Sequence, residues 1–332
     1  MKILVTGAAG FLGRRVVEAL LDRPVGWPEV TQIVAVDRLP CGVDDARVDS
    51  RVGSIEDAAF IDTVLDADVD VIYHLAAVLS GEAEASFDLG VRVNVDATRH
   101  VLERCRALGR APRLVFASTI AVFGGPLPAV VPEDMALRPQ SSYGTEKAIA
   151  ELLVSEYSRK GFVDGIVCRI ATVTVRPGQP NSALSSFVSG IIREPVAGLP
   201  SLCPVPLDTR LWISAPSTVT RNLVHAARVP AADLGAVRPV TLPGLTTTPA
   251  DMLDSLERHA GPEARALVRC EVDDEVSRIV CGWAGGFDVR RALALGFAGD
   301  QDVDAIVREF VNHIHPSRRP SFDAATSIRP RP

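Results

Sequence analysis

Two residues four positions apart, Tyr143 and Lys147, carry the sharpest chemical signal in this 332-residue chain. Residues at that spacing stack on one face of a helix. The run from Ser141 to Lys147, continuing through Ala148 to Lys160, predicts such a helix. An ammonium beside a phenol favours the phenolate and lowers its pKa, which makes a tyrosine usable as a base near neutral pH. Pairs of this spacing also arise by accident on helix surfaces. Here they follow Ser118-Thr119, at the end of the apolar run Arg113 to Ser118. A Thr119 hydroxyl can donate to a reacting oxygen while Tyr143 removes its proton.

The N-terminus, MKILVTGAAGFLG, supplies a second chemistry. The apolar run Ile3 to Val5 leads into Gly7, Gly10 and Gly13. An amphipathic pattern (Phe11, Leu12, Val16, Val17, Leu20, Leu21) then begins. This reads as a buried strand, a tight turn and a helix start, with N–H groups and the positive helix end pointing into open space. A pyrophosphate fits there, because glycine lets backbone and ligand approach closely. The spacing is G-x-x-G-x-x-G, and glycines in a loop can also be plain turn chemistry. Position decides the matter: a second apolar run, Ile33 to Val36, ends in Asp37, where an acid holds an adenosine ribose. Asp37 would repel a 2′-phosphate, so NAD is expected over NADP, a preference that the neighbouring Arg38 weakens slightly.

These residues need a frame. At 332 residues the chain can bury a large core and is expected to divide into two lobes. A hydrophobic content of 47%, a charged content of 23% and a net charge of -6 describe an ordinary globular enzyme and argue against a nucleic-acid surface. No apolar run approaches membrane-spanning length, and the chain enters a strand without a leader, so a cytoplasmic protein is expected. Six cysteines without a C-x-x-C pair suit reduced thiols, and six dispersed histidines predict no metal site.

Further strands are expected near Arg47 to Val52, at Val69 to Leu75, at Arg113 to Ser118 and at Ile166 to Ile170. Alternating with helices, they predict an α/β, doubly wound parallel sheet. Ser54 and Ile55, in the loop before Asp57, could line an adenine pocket or form an ordinary capped turn. Ala76 and Ala77 at a strand end leave room for a ligand. A long helical pattern then runs to about Leu108. Its Asn94 lies among Val91, Val93 and Val95, which gives it a buried hydrogen-bonding role rather than the solvent-facing one usual for a helical Asn. Beyond Thr172 come a helix from Ser182 to Arg193, an irregular segment from Leu199 to Asp208, and a strand at Leu211 to Ile213. A helix at Thr218 to Arg228 and a strand at Val237 to Leu242 follow, then helices near 249–260 and 303–313. There are no internal repeats. Residues 1–172, with a returning segment near 211–245, are expected to form the dinucleotide domain. Residues 173–210 and 246–315 would form a smaller mixed α/β lobe, and 316–332 a disordered tail.

The motifs TGAAGFLG, Asp37, His74-Leu75-Ala76-Ala77, Asn94, STIAVFG and YGTEK together resemble the extended short-chain dehydrogenases/reductases, in the NAD-dependent epimerase/dehydratase branch. The resemblance covers about the first 175 residues. It implies that Thr119, Tyr143 and Lys147 are catalytic, with Ser118 assisting, and that Leu75, Ala77, Asn94 and Lys147 border the nicotinamide ribose. Phe11 and Leu12 fall within the matched cofactor motif. The later stretches YGTEKAIAELLVSEYSRKGFVDG and RIATVTVRPGQPNSALSSFVSGIIREP are similar to the D-erythronate dehydrogenases of this superfamily. That likeness implies NAD-linked oxidation of the C2 hydroxyl of a four-carbon sugar acid.

A sugar acid needs a cation for its carboxylate and hydroxyl partners for its polyol. Arg176 and Arg210 are the candidate clamps, one of which is expected to serve, because guanidinium binds carboxylate bidentately. Taken singly, each arginine is more often a salt-bridge partner or solvated surface group. Ser80, Thr172, Asn181 and Ser182 are candidate hydroxyl partners. The alternatives are a nucleotide-sugar 4-epimerase or dehydratase and a non-catalytic dinucleotide sensor. Ile120 and Ala121 stand where a dehydratase would carry an acid pair, and a sensor can dispense with the Tyr–Lys pair that this chain keeps. A small-molecule partner is expected, with neither nucleic acid nor membrane. The helical stretches around 83–108 and 143–160 could pair into a homodimer interface or pack on their own sheet, and one sequence does not separate the two.

Overall fold

The computed structural model describes residues 1–22, 26–179 and 183–314, and the apolar runs of the first half become neighbouring strands. In chain order the strands are β1 (Lys2–Thr6), β2 (Gln32–Asp37), β3 (Val48–Val52), β4 (Val69–His74), β5 (Arg113–Thr119) and β6 (Asp164–Ile170). The later ones are short: β7 (Thr172–Val173), β8 (Ser201–Cys203), β9 (Leu211–Ser214), β10 (Pro239–Thr241), β11 (Leu245–Thr247) and β12 (Val268–Cys270). Seven form one sheet in the order β10-β6-β5-β4-β1-β2-β3, with every pairing parallel.

Parallel strands are buried on both faces, and the side chains sort by alternation. Ile3, Val5, Ile33, Ala35, Val71, Tyr73, Val115 and Ile166 enter one core. Their neighbours Leu4, Val34, Val36, Ile72, Leu114, Phe116 and Val167 enter the other. Eight helices matter for the site: α1 (Phe11–Leu21), α2 (Ala58–Val64), α3 (Ser80–Ala85), α4 (Phe87–Gly90), α5 (Ala97–Leu108), α6 (Ser142–Arg159), α7 (Ser186–Val196) and α8 (Pro216–Ala226). Helices α1 and α8 close the first core through Val16, Val17, Leu20, Val219 and Leu223. Helices α2, α5 and α6 close the second through Ile61, Val101, Leu102, Ala150 and Val154.

The pattern to Leu108 is not one helix. It breaks at Ser86, whose φ of -139° and ψ of 84° lie outside the helical region, and widens into a π turn over Val91–Asp96. Such π turns carry a local insertion, and here the buried amide of Asn94 bonds outside its own helix. The segment Leu199 to Asp208, expected to be irregular, contains β8 paired in parallel with β12. Its prolines, Pro200, Pro204 and Pro206, flank that strand rather than interrupt it, so no ladder donor is lost.

After α8 the chain returns to the main sheet, where Val240 of β10 lies opposite Cys168 of β6. Strand β9 instead joins β7 and β11 in a separate three-stranded sheet. A third core, built from Val188, Ile191 and Ile192 of α7 with Met252, Leu256, Ile306 and Phe310, lies beyond it. Among the described residues, no helix is long and apolar enough to cross a membrane, and no group of His, Cys, Asp or Glu is placed to hold a metal. All six cysteines are free thiols. The expected tail at 316–332 lies outside the described residues.

Candidate active site

A cavity of about 410 Å³ opens at the carboxyl ends of β1, β2, β4, β5 and β6, the edge at which open parallel sheets receive ligands. It runs from Gly7 to Arg176.

One end is made of backbone. Gly7 has a φ of +74°, and a Cβ there would lie 2.7 Å from the Ala76 nitrogen. A Cβ on Gly13 would collide with the Gly7 carbonyl, so the turn closes only with glycine at both places. Gly10 caps α1 without a side-chain hydrogen bond, which leaves the first N–H groups of the helix open to a ligand. Asp37 closes this end: Oδ2 accepts from the Ala9 N–H at 3.0 Å and Oδ1 from the Leu39 N–H at 3.3 Å. Both oxygens keep lone pairs for further donors. Phe11, Leu12, Ser54, Ile55, Leu75, Ala76 and Ala77 line the same space. Ser54 is also part of a capped turn, accepting from the Glu56 N–H at 3.2 Å. A helix N-terminus, a cradle that any Cβ would fill and a carboxylate at the end of β2 fit a dinucleotide.

The other end is made of side chains. Thr119, at the last position of β5, lines the cavity with Tyr143, Lys147, Ser80, Thr172 and Arg176. The Thr119 Oγ1 accepts from the Ala121 N–H at 3.1 Å, so its own hydrogen stays available for an oxygen in the cavity. Ser118 also reaches the cavity wall, but its hydroxyl donates to Glu151, which in turn forms a buried ion pair with Arg169. Its expected assisting role is therefore not supported by its hydrogen bonding.

Lys147 is 2% exposed. Its Nζ donates to the Ala117 carbonyl at 2.9 Å and lies 4.6 Å from the Phe116 ring centroid, with the Tyr143 ring centroid at 5.9 Å. Burial lowers this ammonium to about 8, with Glu146 and Glu151 opposing. Burial likewise pushes the Tyr143 phenol up to about 12; Glu146 adds to that rise, and Arg176 opposes it. The expected lowering of the phenol by Lys147 is thus corrected. Desolvation outweighs charge, and the cation that offsets it is Arg176. Behind the wall, His74 is fully buried between Thr6 Oγ1 (2.8 Å) and Thr98 Oγ1 (3.0 Å), and burial lowers it to about 3.

Two expected site residues lie elsewhere. Asn94 does not line the cavity, although Val78, to which it is hydrogen-bonded, does. Arg210 lines a second cavity, of about 480 Å³, with Thr209, Cys281 and Trp283. It precedes β9, whereas Arg176 follows β7, the parallel neighbour of β9, so the two arginines lie at opposite ends of that pair. Asn181 and Ser182 lie outside the described residues. The sequence reading missed Glu82, Ala171 and Ser185, which also line the site. Ala171 could have been found as the residue just past β6, whereas Glu82 looks like any helix-surface acid.

The profile described as "NAD dependent epimerase/dehydratase family" matches residues 3–227. The chain is 47% identical over 319 residues to the D-erythronate dehydrogenase of Cupriavidus necator, covering 94% of this chain and 98% of that protein. It is 39% identical over 313 residues to the D-erythronate dehydrogenase of Haemophilus influenzae, covering 94% and 99%. A crystal structure described as the nucleoside-diphosphate-sugar epimerase from Agrobacterium tumefaciens superimposes with a TM-score of 0.88 at 40% identity, covering 95% of this chain and 93% of that one.

Proposed function

The chain belongs to the NAD dependent epimerase/dehydratase family, and on that premise we propose that it oxidises the C2 hydroxyl of a four-carbon sugar acid, D-erythronate, with NAD. One observation carries the reading: Thr119, Tyr143 and Lys147 share with Arg176 the cavity that begins at the glycine turn. The near full-length likeness to two D-erythronate dehydrogenases supports the substrate.

When bound, NAD supplies the hydride acceptor. Arg176 takes the substrate carboxylate, and because its charge acts on Tyr143, the carbon next to the carboxylate is the one offered to the phenol. Thr119 donates to the C2 oxygen and orients it. Tyr143, as phenolate, takes the C2 hydroxyl proton while the C2 hydrogen leaves as hydride, giving a 2-keto acid. Lys147 stands behind Tyr143 as the ammonium of the site. Asp37 takes the adenosine ribose hydroxyls and disfavours a 2′-phosphate. In this reading α8 and β10 count with the dinucleotide half of the chain and α7 with the substrate half.

The test is NADH appearance with D-erythronate, L-threonate, D-glycerate and D-gluconate. Turnover greatest on D-erythronate, and weak with NADP, is expected. The description of the Agrobacterium relative favours a second reading, a nucleotide-sugar epimerase. No turnover on any acid, with NAD retained through purification, would select it.

The finer partner and compartment are proposals too. Phe87 of α4 and Ile149 and Leu152 of α6 are 63%, 42% and 66% exposed, apolar area that a second copy of this chain would cover in a homodimer. Sedimentation equilibrium reads the mass directly. Six free thiols fit a reducing compartment, the cytoplasm.

A further inference from the structure

One buried acid beside the site has a partner for only one of its oxygens. Glu146 is 2% exposed; its Oε2 accepts from Asn94 Nδ2 at 2.6 Å, and its Oε1 has no hydrogen-bond partner. That free oxygen faces Gly90, where any side chain would collide with it. A buried carboxylate oxygen without a donor costs free energy. The arrangement it maintains is therefore of interest.

The remaining side-chain bonds of Asn94 both go to one residue. The Val78 N–H donates to Asn94 Oδ1 at 2.9 Å, and Asn94 Nδ2 donates to the Val78 carbonyl at 3.0 Å. A continuous chain thus runs from α6, which carries Tyr143 and Lys147, through Glu146 and Asn94 to Val78. The segment Val78-Leu79-Ser80 forms a wall of the reacting end and enters α3. A second tie repeats the link, since the Ser142 N–H at the start of α6 donates to Glu84 Oε2 of α3 at 3.0 Å.

We propose that Glu146 is a positioning residue: through Asn94 it fixes the wall Val78–Ser80 relative to the Tyr143–Lys147 helix and so sets the width of the substrate end. The proposal rests on the reading that Tyr143 and Lys147 act in this cavity. A glutamine keeps an oxygen for Asn94 Nδ2, whereas an alanine removes it.

The experiment compares Glu146→Ala and Glu146→Gln in the full chain, by sugar-acid kinetics, NADH titration and amide hydrogen exchange. In Glu146→Ala, kcat is expected to fall by about tenfold with NADH affinity within about threefold of wild type, the loss of one buried charge-assisted hydrogen bond. Exchange at the Val78 amide should rise by about tenfold in the same variant, as local opening becomes easier. Glu146→Gln should restore both. Unchanged Val78 exchange in Glu146→Ala would overturn the proposal. So would a joint loss of kcat, NADH affinity and thermal stability that Glu146→Gln fails to restore, which marks a residue of the fold alone. If the wild-type protein oxidises none of the acids, the substrate reading falls, and Val78 exchange still decides this one.

Discussion

At one end the cavity is built from main chain, at the other from side chains carried on three separate elements. Around Gly7, Gly10 and Gly13 the ligand-binding groups are N–H donors of a turn and of the first turn of α1, held by the same geometry that closes β1 onto its helix. At the reacting end Thr119, Tyr143, Lys147 and Arg176 come from β5, α6 and the loop after β7, and each needs its own anchor. Thr119 is fixed by Ala121, Lys147 by Ala117, and the backbone N–H of Arg176 by Ser189 Oγ at 3.1 Å. The first construction excludes any side chain at Gly7 and Gly13. The second depends on each side chain keeping its own anchor.

The contrast is broken most forcefully at Tyr143. Tyr143→Phe removes the proton acceptor and leaves the turn intact, so turnover is expected to fall by about a thousandfold while NADH affinity, read by fluorescence titration, is retained. A variant with most of its turnover would remove Tyr143 from the chemistry. Arg176→Gln comes next, with the KM for the acid up by about thirtyfold through loss of a charged hydrogen-bond pair. Arg176 holds the Tyr143 phenol down, so its removal raises that pKa. The acid limb of the kcat profile should therefore move to higher pH, and an unmoved limb would uncouple the two residues.

At the backbone end, Asp37→Ala should lower the preference for NAD over NADP by about tenfold, with the acid KM unaltered. Kinetics with both cofactors measure it, and an unchanged ratio would place the selectivity elsewhere. Arg210→Gln should have the smallest effect, with kcat/KM within about twofold, as for a substitution remote from the chemistry. A larger loss would bring the second cavity into the reaction.

How much was legible in the sequence follows the same division. The glycines and Asp37 could be read in place, because a turn that excludes Cβ and an acid ending a strand leave marks at fixed positions in the chain. Tyr143 and Lys147 were legible through helical spacing, but the balance of burial against charge at the phenol was not, since burial is a property of the whole fold. Arg176 and Arg210 looked equivalent, each beside a short apolar run. Only the parallel pairing of β7 with β9 separates them, since Arg176 follows one strand and Arg210 precedes the other, at opposite ends of the pair. The valines around Asn94 announced that it is buried, yet its partners Val78 and Glu146 lie 16 and 52 residues away. Glu146, one position from a lysine on a helix, gave no sign of being inside.

The return of β10 has a consequence for how the protein comes into being on the ribosome. Residues 239–241 supply the edge that covers β6, although β6 itself is complete at residue 170. Arg113, in β5, donates through Nη2 to the carbonyls of Ala226 and Val229 at 2.7 Å, so a charge laid down early acquires these acceptors more than a hundred residues later. Until those residues emerge, the nascent sheet presents a bare parallel edge, the surface on which strands of other chains pair. The seven-stranded sheet is therefore completed only after the segment that bears Arg176 and α7 has been made.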